Sequence, residues 1–124
     1  MRFGRWALIG FVALPAFASE AAAQCLNADG GPVAQVGRLV RTRIGGASVF
    51  ILRTPQPVCL RGRDAADNVR GTQSIHVYST RPAVERALGA AAGRDVRVRG
   101  RAFGAITQHH KAPIVLDAAA VDAL

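Results

Sequence analysis

The segment GRAFGAITQHHKAPIVLDA, residues 100–118, holds the side chains best suited to chemistry in this sequence. His109 and His110 are adjacent in a short polar gap between two apolar runs. Imidazoles bind metals and change charge near neutral pH. Neighbouring residues of an extended chain point in opposite directions, so these two cannot easily hold one ion together. We interpret the gap as a polar hairpin loop whose imidazoles cap backbone groups, with metal binding and pH sensing as alternatives.

A metal site at this loop would need further ligands, because zinc usually takes three or four from His, Cys, Asp or Glu. His76 is the third histidine of the chain, and Asp117 is one of the distant carboxylates that could join it. The sequence therefore predicts no cofactor. Zinc or copper held by His109, His110 and His76 is the alternative.

A row of arginines is the second candidate site. Arg97, Arg99 and Arg101 alternate with apolar residues, so they share one face of a predicted strand, roughly 7 Å apart. Such a row could bind a polyanion. Single-stranded nucleic acid also requires aromatic side chains on which bases stack. Beyond the leader the aromatic residues are Phe50, Tyr78 and Phe103, and we expect both phenylalanines in the core, so nucleic acid is not the favoured partner.

Catalytic or calcium chemistry has little support in the sequence. No Gly-x-Ser-x-Gly motif occurs, and the serines lack a neighbouring base that would activate them. In the segment RDAADN, Asp64, Asp67 and Asn68 could touch calcium, but they lack the spacing of the usual calcium loop. We therefore predict that the protein is not an enzyme, and we keep a small hydrolase as the least favoured class.

The elements that would position these residues follow from the hydrophobic period. Alternating or β-branched runs predict five strands, at residues 33–43, 48–54, 74–79, 95–103 and 113–121. Apolar residues at helical spacing predict one helix after Thr80, ending near Gly93. Pro55 and Pro57 are expected to stop the second strand, and residues 61–72 are expected to form an exposed loop.

This order predicts a mainly β fold. Three strands, a helix and two strands, with a bend at Gly37 in the long first strand, are typical of an OB-like five-stranded, partly open barrel. A small open α+β sheet is the alternative.

The first residues have the pattern of a secretory signal peptide. Arg2 and Arg5 precede an apolar stretch from Trp6 to Ala18, and small residues follow. The stretch is shorter than the roughly 20 residues that a spanning helix needs. We predict cleavage after Ala23, with Ala18 as the alternative site. The product would be a single domain, residues 24–124, without a stable membrane span.

Export makes the two cysteines informative. Cys25 and Cys59 are the only cysteines, and a pair in an oxidising compartment most simply forms a disulfide. The bond would close a loop of about 35 residues and contribute roughly 4 kcal/mol in the loop-entropy model.

The chain is strongly basic, with 16 Lys and Arg against 8 Asp and Glu. Such a balance permits binding to polyanions or anionic lipid. The cations are nearly all arginine in an Ala- and Gly-rich chain, which is the composition that a GC-rich genome produces without a binding role. The charge is therefore weak evidence for a polyanion partner.

Four segments resemble the bacterial domain of unknown function 4431 family: CLNADG, VGRLV, PQPVCL and AAGRDVRVRGRAFGAITQHHKAPIVLDAAAV. The last is the most specific, with a glycine–basic pair, a β run ending in Gly-x-x-Phe, a loop with a histidine cluster, a proline and an apolar strand. The matching positions are Gly93, Arg94, Gly100, Phe103, His109, His110 and Pro113. The two cysteines also match, so the resemblance adds weight to the disulfide.

Members of that family are small exported proteins without an assigned reaction. The resemblance therefore implies export, most simply to the periplasm, but no activity. We predict an exported, non-catalytic binding or accessory domain whose ligand is open and whose partner is an envelope protein or a polyanion. The alternative is a polyanion- or metal-binding module that uses Arg97, Arg99 and Arg101 and the His109–His110 loop.

Overall fold

A computed structural model of the chain describes residues 24–28 and 30–124. The predicted leader, residues 1–23, and its two cleavage sites lie outside the described residues. None of the helices in the described part is long and apolar enough to cross a membrane.

The described residues form six strands and one helix. In chain order these are β1 (Gln24–Asn27), β2 (Val33–Ile44), β3 (Ala47–Arg61), β4 (Val69–Tyr78), α1 (Pro82–Ala91), β5 (Asp95–Gly104) and β6 (Ile114–Ala123), with a short 3-10 turn at Ala65–Asp67.

Five of the strands close into a ring. The order β3–β2–β5–β6–β4 returns to β3 because β4 pairs with both β6 and β3. The β4–β6 pair is parallel and the other pairs within the ring are antiparallel. The predicted OB-like, mainly β fold with its helix before the last two strands is confirmed. The β3–β4 pairing closes the ring, so the open α+β alternative is not adopted. The β3–β4 and β5–β6 pairings contain register shifts, so the strands form a ring that is not a regular barrel.

The bend predicted in the first long strand is present. Strand β2 pairs with β5 up to Arg38 and with β3 from Arg38 onward. Gly37 lies at this change of partner, and a Cβ there would collide with the carbonyl oxygen of Arg53. Only glycine lets the two backbones approach this closely.

Two predicted boundaries are wrong. Strand β3 continues through Pro55 and Pro57 to Arg61, because the prolines fall where its pairing with β4 shifts register and no ladder hydrogen bond is needed from them. Strand β4 begins at Val69, inside the predicted loop, and pairs there with Leu60.

The inner face of the ring holds a hydrophobic core, as the alternating residues predict. Its largest fully buried members are Leu39, Leu52, Leu60, Ile75, Leu88, Ile114, Leu116, Val58, Val77, Val96 and Val98. Helix α1 contributes Leu88 and Ala91 to this core. The helix begins after Arg81, not Thr80, and Gly93 follows its end with a φ of 87°.

The predicted disulfide between Cys25 and Cys59 is confirmed, with Cα atoms 4.3 Å apart. It joins β1 to β3 at residues that are paired in the parallel ladder. Strand β1, which the five predicted strands do not include, thereby places Leu26 in the core.

Candidate functional site

The loop of residues 105–113, which connects β5 to β6, contains the histidine pair and lies against the outer face of the strand ring. Ala112 from this loop packs on Val49 and Ile51 of β3, with Val40 of β2 beside them. These residues form a second apolar cluster that is separate from the core. The loop therefore covers part of the ring's outer face.

His76 lies beneath this loop. It is on the outer face of β4, between the paired residues Ile51 of β3 and Val115 of β6. We expected an outward side chain, and the direction is correct, but the side chain is only 8% exposed. The backbone N–H of Lys111 donates a hydrogen bond of 3.1 Å to its Nδ1 atom.

His110 organises the loop from within. Its Nδ1 atom accepts hydrogen bonds from the backbone N–H groups of Ile106, at 2.9 Å, and Thr107, at 3.3 Å. This is the backbone-capping role that we predicted for the imidazoles of the loop. The ring centroids of His110 and His76 are 6.3 Å apart.

Two aromatic residues complete a cluster around the histidines. Phe103 of β5 lies edge-on to His110 at 5.4 Å and to Tyr78 at 6.4 Å, measured between ring centroids. The prediction that Phe103 belongs to the core is wrong, because it alternates with the buried residue Ala102 and faces outward. We call His76, Tyr78, Phe103 and His110 the aromatic cluster.

The third histidine of the predicted set is not part of this cluster. His109 is exposed, and its backbone N–H donates to the hydroxyl of Thr107 at 3.2 Å. The structure therefore brings His76 and His110 together and leaves His109 on the surface.

Metal coordination gains no support from these contacts. Within residues 24–28 and 30–124, no three His, Cys, Asp or Glu side chains are grouped so as to hold an ion. The Nδ1 atoms of His76 and His110 accept hydrogen bonds, so in the neutral rings the proton lies on Nε2. A histidine that binds a metal through Nε2 normally donates from Nδ1 instead.

Burial affects two ionisable groups of the aromatic cluster. Desolvation lowers the pKa of His76 below its ordinary value, and the nearby His110 and Lys111 add to the effect. Desolvation also raises the pKa of Tyr78, with a further contribution from the carboxylate of Asp117. His76 is therefore neutral at neutral pH.

The arginine row lies on the outer face of β5, as predicted. Arg97, Arg99 and Arg101 are exposed, and the residues between them are buried. Strand β6 places acids beside the row. Asp122 is 3.4 Å from Arg99 and pairs in the ladder with Arg97, and Asp117 pairs with Arg101. These acids offset much of the positive charge.

A cleft that sequence reasoning did not find lies next to the aromatic cluster. It has a volume of about 490 Å³ and separates the 62–69 segment from the start of the 105–113 loop. Its walls are Ala28, Gly62, Arg63, Ala66, Asp67, Asn68, Val69, Phe103, Gly104, Ala105, Ile106 and Pro113. Ile106 stands at the rim of this cleft and is 78% exposed.

The segment that contains Asp64, Asp67 and Asn68 is held together by its own hydrogen bonds. The backbone N–H of Asp67 donates to the carbonyl of Asp64, and Asn68 Oδ1 accepts from the N–H of Gly62 at 2.9 Å. These bonds close the 62–69 segment into one wall of the cleft. No signal in the sequence links this segment to the distant 105–113 loop.

Comparisons with known proteins give a family-model match to part of the chain and similarity to solved structures. No curated protein matches the sequence. The fold is similar to that of the small single-stranded DNA-binding protein from Streptomyces coelicolor, with 21% identity, a TM-score of 0.42 and coverage of 74% of this chain and 90% of that one.

The family match falls on the segment that contains the arginine row, the 105–113 loop and most of the aromatic cluster's surroundings. Residues 74–122 match the model described as Domain of unknown function (DUF4431). The resemblance inferred from the sequence is confirmed over this segment, which is about two fifths of the chain.

Proposed function

We propose that this protein is an exported, non-catalytic binding domain that takes an apolar side chain of an envelope protein into the cleft between residues 62–69 and the 105–113 loop. The observation that carries this proposal is the open cleft of about 490 Å³ with the 78% exposed Ile106 at its rim. Exposed aliphatic residues beside a concave surface are typical of binding sites.

The composition of the cleft favours an uncharged ligand group. Val69, Phe103 and Pro113 give it apolar walls. Arg63 and Asp67 are its charged residues, and their opposite signs leave no net attraction for a polyanion. Burying one large aliphatic side chain here would contribute about 2 kcal/mol to binding.

The same lining argues for binding without catalysis. A hydrolase requires a nucleophile with an adjacent base. Among the described residues that line the cleft, Asp67 is the one acid, and serine, threonine, cysteine and histidine are absent. This supports the non-catalytic reading over the small hydrolase.

Export is supported by the leader pattern and by the disulfide. Bonds such as Cys25–Cys59 form and persist in oxidising compartments. The bond also fixes β1 against β3, and Ala28, which follows β1, contributes to the cleft.

A polyanion-binding module based on Arg97, Arg99 and Arg101 is the weaker proposal. The three side chains are exposed and regularly spaced, which favours it. The flanking Asp117 and Asp122 oppose it, because an approaching anion meets both signs of charge.

Site-specific photocrosslinking tests the cleft directly. A photoreactive residue replaces Ile106 in the exported protein, and the matched control replaces Arg97, which is exposed on another part of the surface. We expect one envelope protein to be crosslinked at position 106 and not at 97. We also expect Ile106→Asp to weaken binding of that purified partner at least about tenfold.

Two results would reject this proposal. One is equal crosslinking at the two positions. The other is an unchanged affinity in Ile106→Asp, measured by calorimetry with the partner found at position 106.

A further inference from the structure

The 105–113 loop is fastened to the outer face of the strand ring through imidazole nitrogens that act as acceptors. His76, which belongs to β4, receives the N–H of Lys111 at 3.1 Å. His110, which belongs to the loop, receives the N–H groups of Ile106 and Thr107. One bond joins the loop to the ring, and the other two fix the shape of the loop.

These bonds require neutral imidazoles. A protonated imidazole carries a hydrogen on both nitrogens and has no acceptor left. Protonation of His76 would therefore place two N–H groups against each other where the bond to Lys111 now lies. The loop could keep its position only with that contact broken.

The surroundings of His76 oppose its positive charge. Its ladder partners, Ile51 of β3 and Val115 of β6, are uncharged. The charged or titratable groups nearby are His110 and Lys111 on the loop, Tyr78 on β4, Asp117 on β6 and Arg101 on β5. Burial, His110 and Lys111 all lower the pKa of His76, whereas Asp117 faces Tyr78.

We propose that the 105–113 loop is an acid-released lid: it covers Val49 and Ile51 while His76 is neutral and leaves them when His76 is protonated. The direction follows from linkage. A histidine whose pKa is lowered in the closed state stabilises closure above its ordinary value of 6.5. That stabilisation is lost as the pH falls through the lowered value.

Opening the lid would change two surfaces together. The apolar cluster of Val49 and Ile51 would lose its cover, Ala112. The cleft would lose one wall, because Ala105, Ile106 and Pro113 belong to the same loop. The lid stands on the loop's own contacts, so it does not depend on the cleft being a binding site.

Amide hydrogen exchange, measured by NMR on the oxidised protein, tests the lid. We compare the protection of the Lys111 amide, corrected for its intrinsic exchange rate, at about pH 7.5 and at about pH 5. We expect protection to fall at the lower pH, because closure weakens by up to about tenfold for each pH unit between 6.5 and the lowered pKa of His76. The amides of Val77 and Leu116 should stay protected.

Two variants isolate the responsible ring. His76→Gln offers an amide oxygen as acceptor without titrating, so the pH dependence of Lys111 protection should become weaker than in the original protein. His109→Gln changes the neighbouring exposed imidazole and should keep the pH dependence of the original protein.

Three results would overturn the proposal. The first is Lys111 protection that does not change with pH. The second is a His76→Gln protein with the pH response intact. The third is a parallel loss of protection at Val77 and Leu116, which would show unfolding of the whole domain.

Discussion

The inner and outer faces of β4 are built from alternate residues of one strand, yet they are covered in different ways. Ile75 and Val77 point inward and are fully buried among aliphatic side chains from every strand of the ring. His76, between them, points outward and is buried by a loop that returns from β5. Burial on the inner face follows from closure of the ring, whereas burial on the outer face depends on one polar loop.

The two faces therefore differ in what they contribute to the two proposals. The inner face consists of buried hydrophobic side chains, and we expect most substitutions there to destabilise the fold. The outer face combines an aromatic cluster, acceptor nitrogens and an open cleft in one region. The features on which the two proposals rest therefore lie on the outer face, which is covered by a loop and not by the closed strand ring.

Removal of the disulfide should have the largest effect on the inner face. Replacing Cys25 and Cys59 together by serine frees β1, which places Leu26 in the core. We expect the free energy of unfolding to fall by roughly 4 kcal/mol. Urea denaturation of the oxidised protein and of the double variant measures the change. A fall below about 1 kcal/mol would show that β1 adds little to the core.

Truncation of adjacent residues on β3 compares the two faces directly. Leu52 points inward and Ile51 outward. We expect Leu52→Ala to cost about 4 kcal/mol and Ile51→Ala about 2 kcal/mol, because a loop can settle over a cavity more easily than a closed core. Chemical denaturation at neutral pH gives both values.

Repeating that measurement at about pH 5 sharpens the comparison. The cost of Ile51→Ala should fall to about half once the lid is released, and the cost of Leu52→Ala should stay the same. Equal costs for the two variants at neutral pH would contradict the distinction between the faces.

Changes in the arginine row should have the smallest effect on stability. Arg99 and Asp122 form an ion pair in which both side chains are more than half exposed. We expect Arg99→Ala to change the free energy of unfolding by less than about 0.5 kcal/mol.

The same row gives a test of polyanion binding. If it bound single-stranded DNA, replacing Arg97, Arg99 and Arg101 would reduce the slope of log affinity against log salt by about 1 for each arginine removed. We expect no such change, because Asp117 and Asp122 flank the row. A reduced slope, with Asp117→Asn raising the affinity, would favour the polyanion proposal.

Local patterns were enough to predict most of the strand ring. Alternation predicted the inward residues of β4 and β5, and Gly37 predicted the bend of β2. The paired cysteines predicted the covalent link. Each of these predictions depends on residues close together in the sequence or, for the disulfide, on one pair of cysteines.

The outer face was predicted less well, because alternation gives the direction of a side chain and not what covers it. Phe103 was assigned to the core on its size alone, although its alternation with Ala102 already placed it outside. His76 was correctly placed outward, but its contact with Lys111 joins residues 35 positions apart. The cleft likewise combines the 62–69 segment with a loop about 40 residues away.

The most direct test of this account is whether the loop covers the outer face at neutral pH. Methyl NOEs from Ala112 report its distance from Val49 and Ile51 in the oxidised protein. We expect strong NOEs to both, together with a slowly exchanging Lys111 amide hydrogen-bonded to His76. If Ala112 shows no contact with either residue and the Lys111 amide exchanges freely, the loop does not cover this face, and the account is wrong.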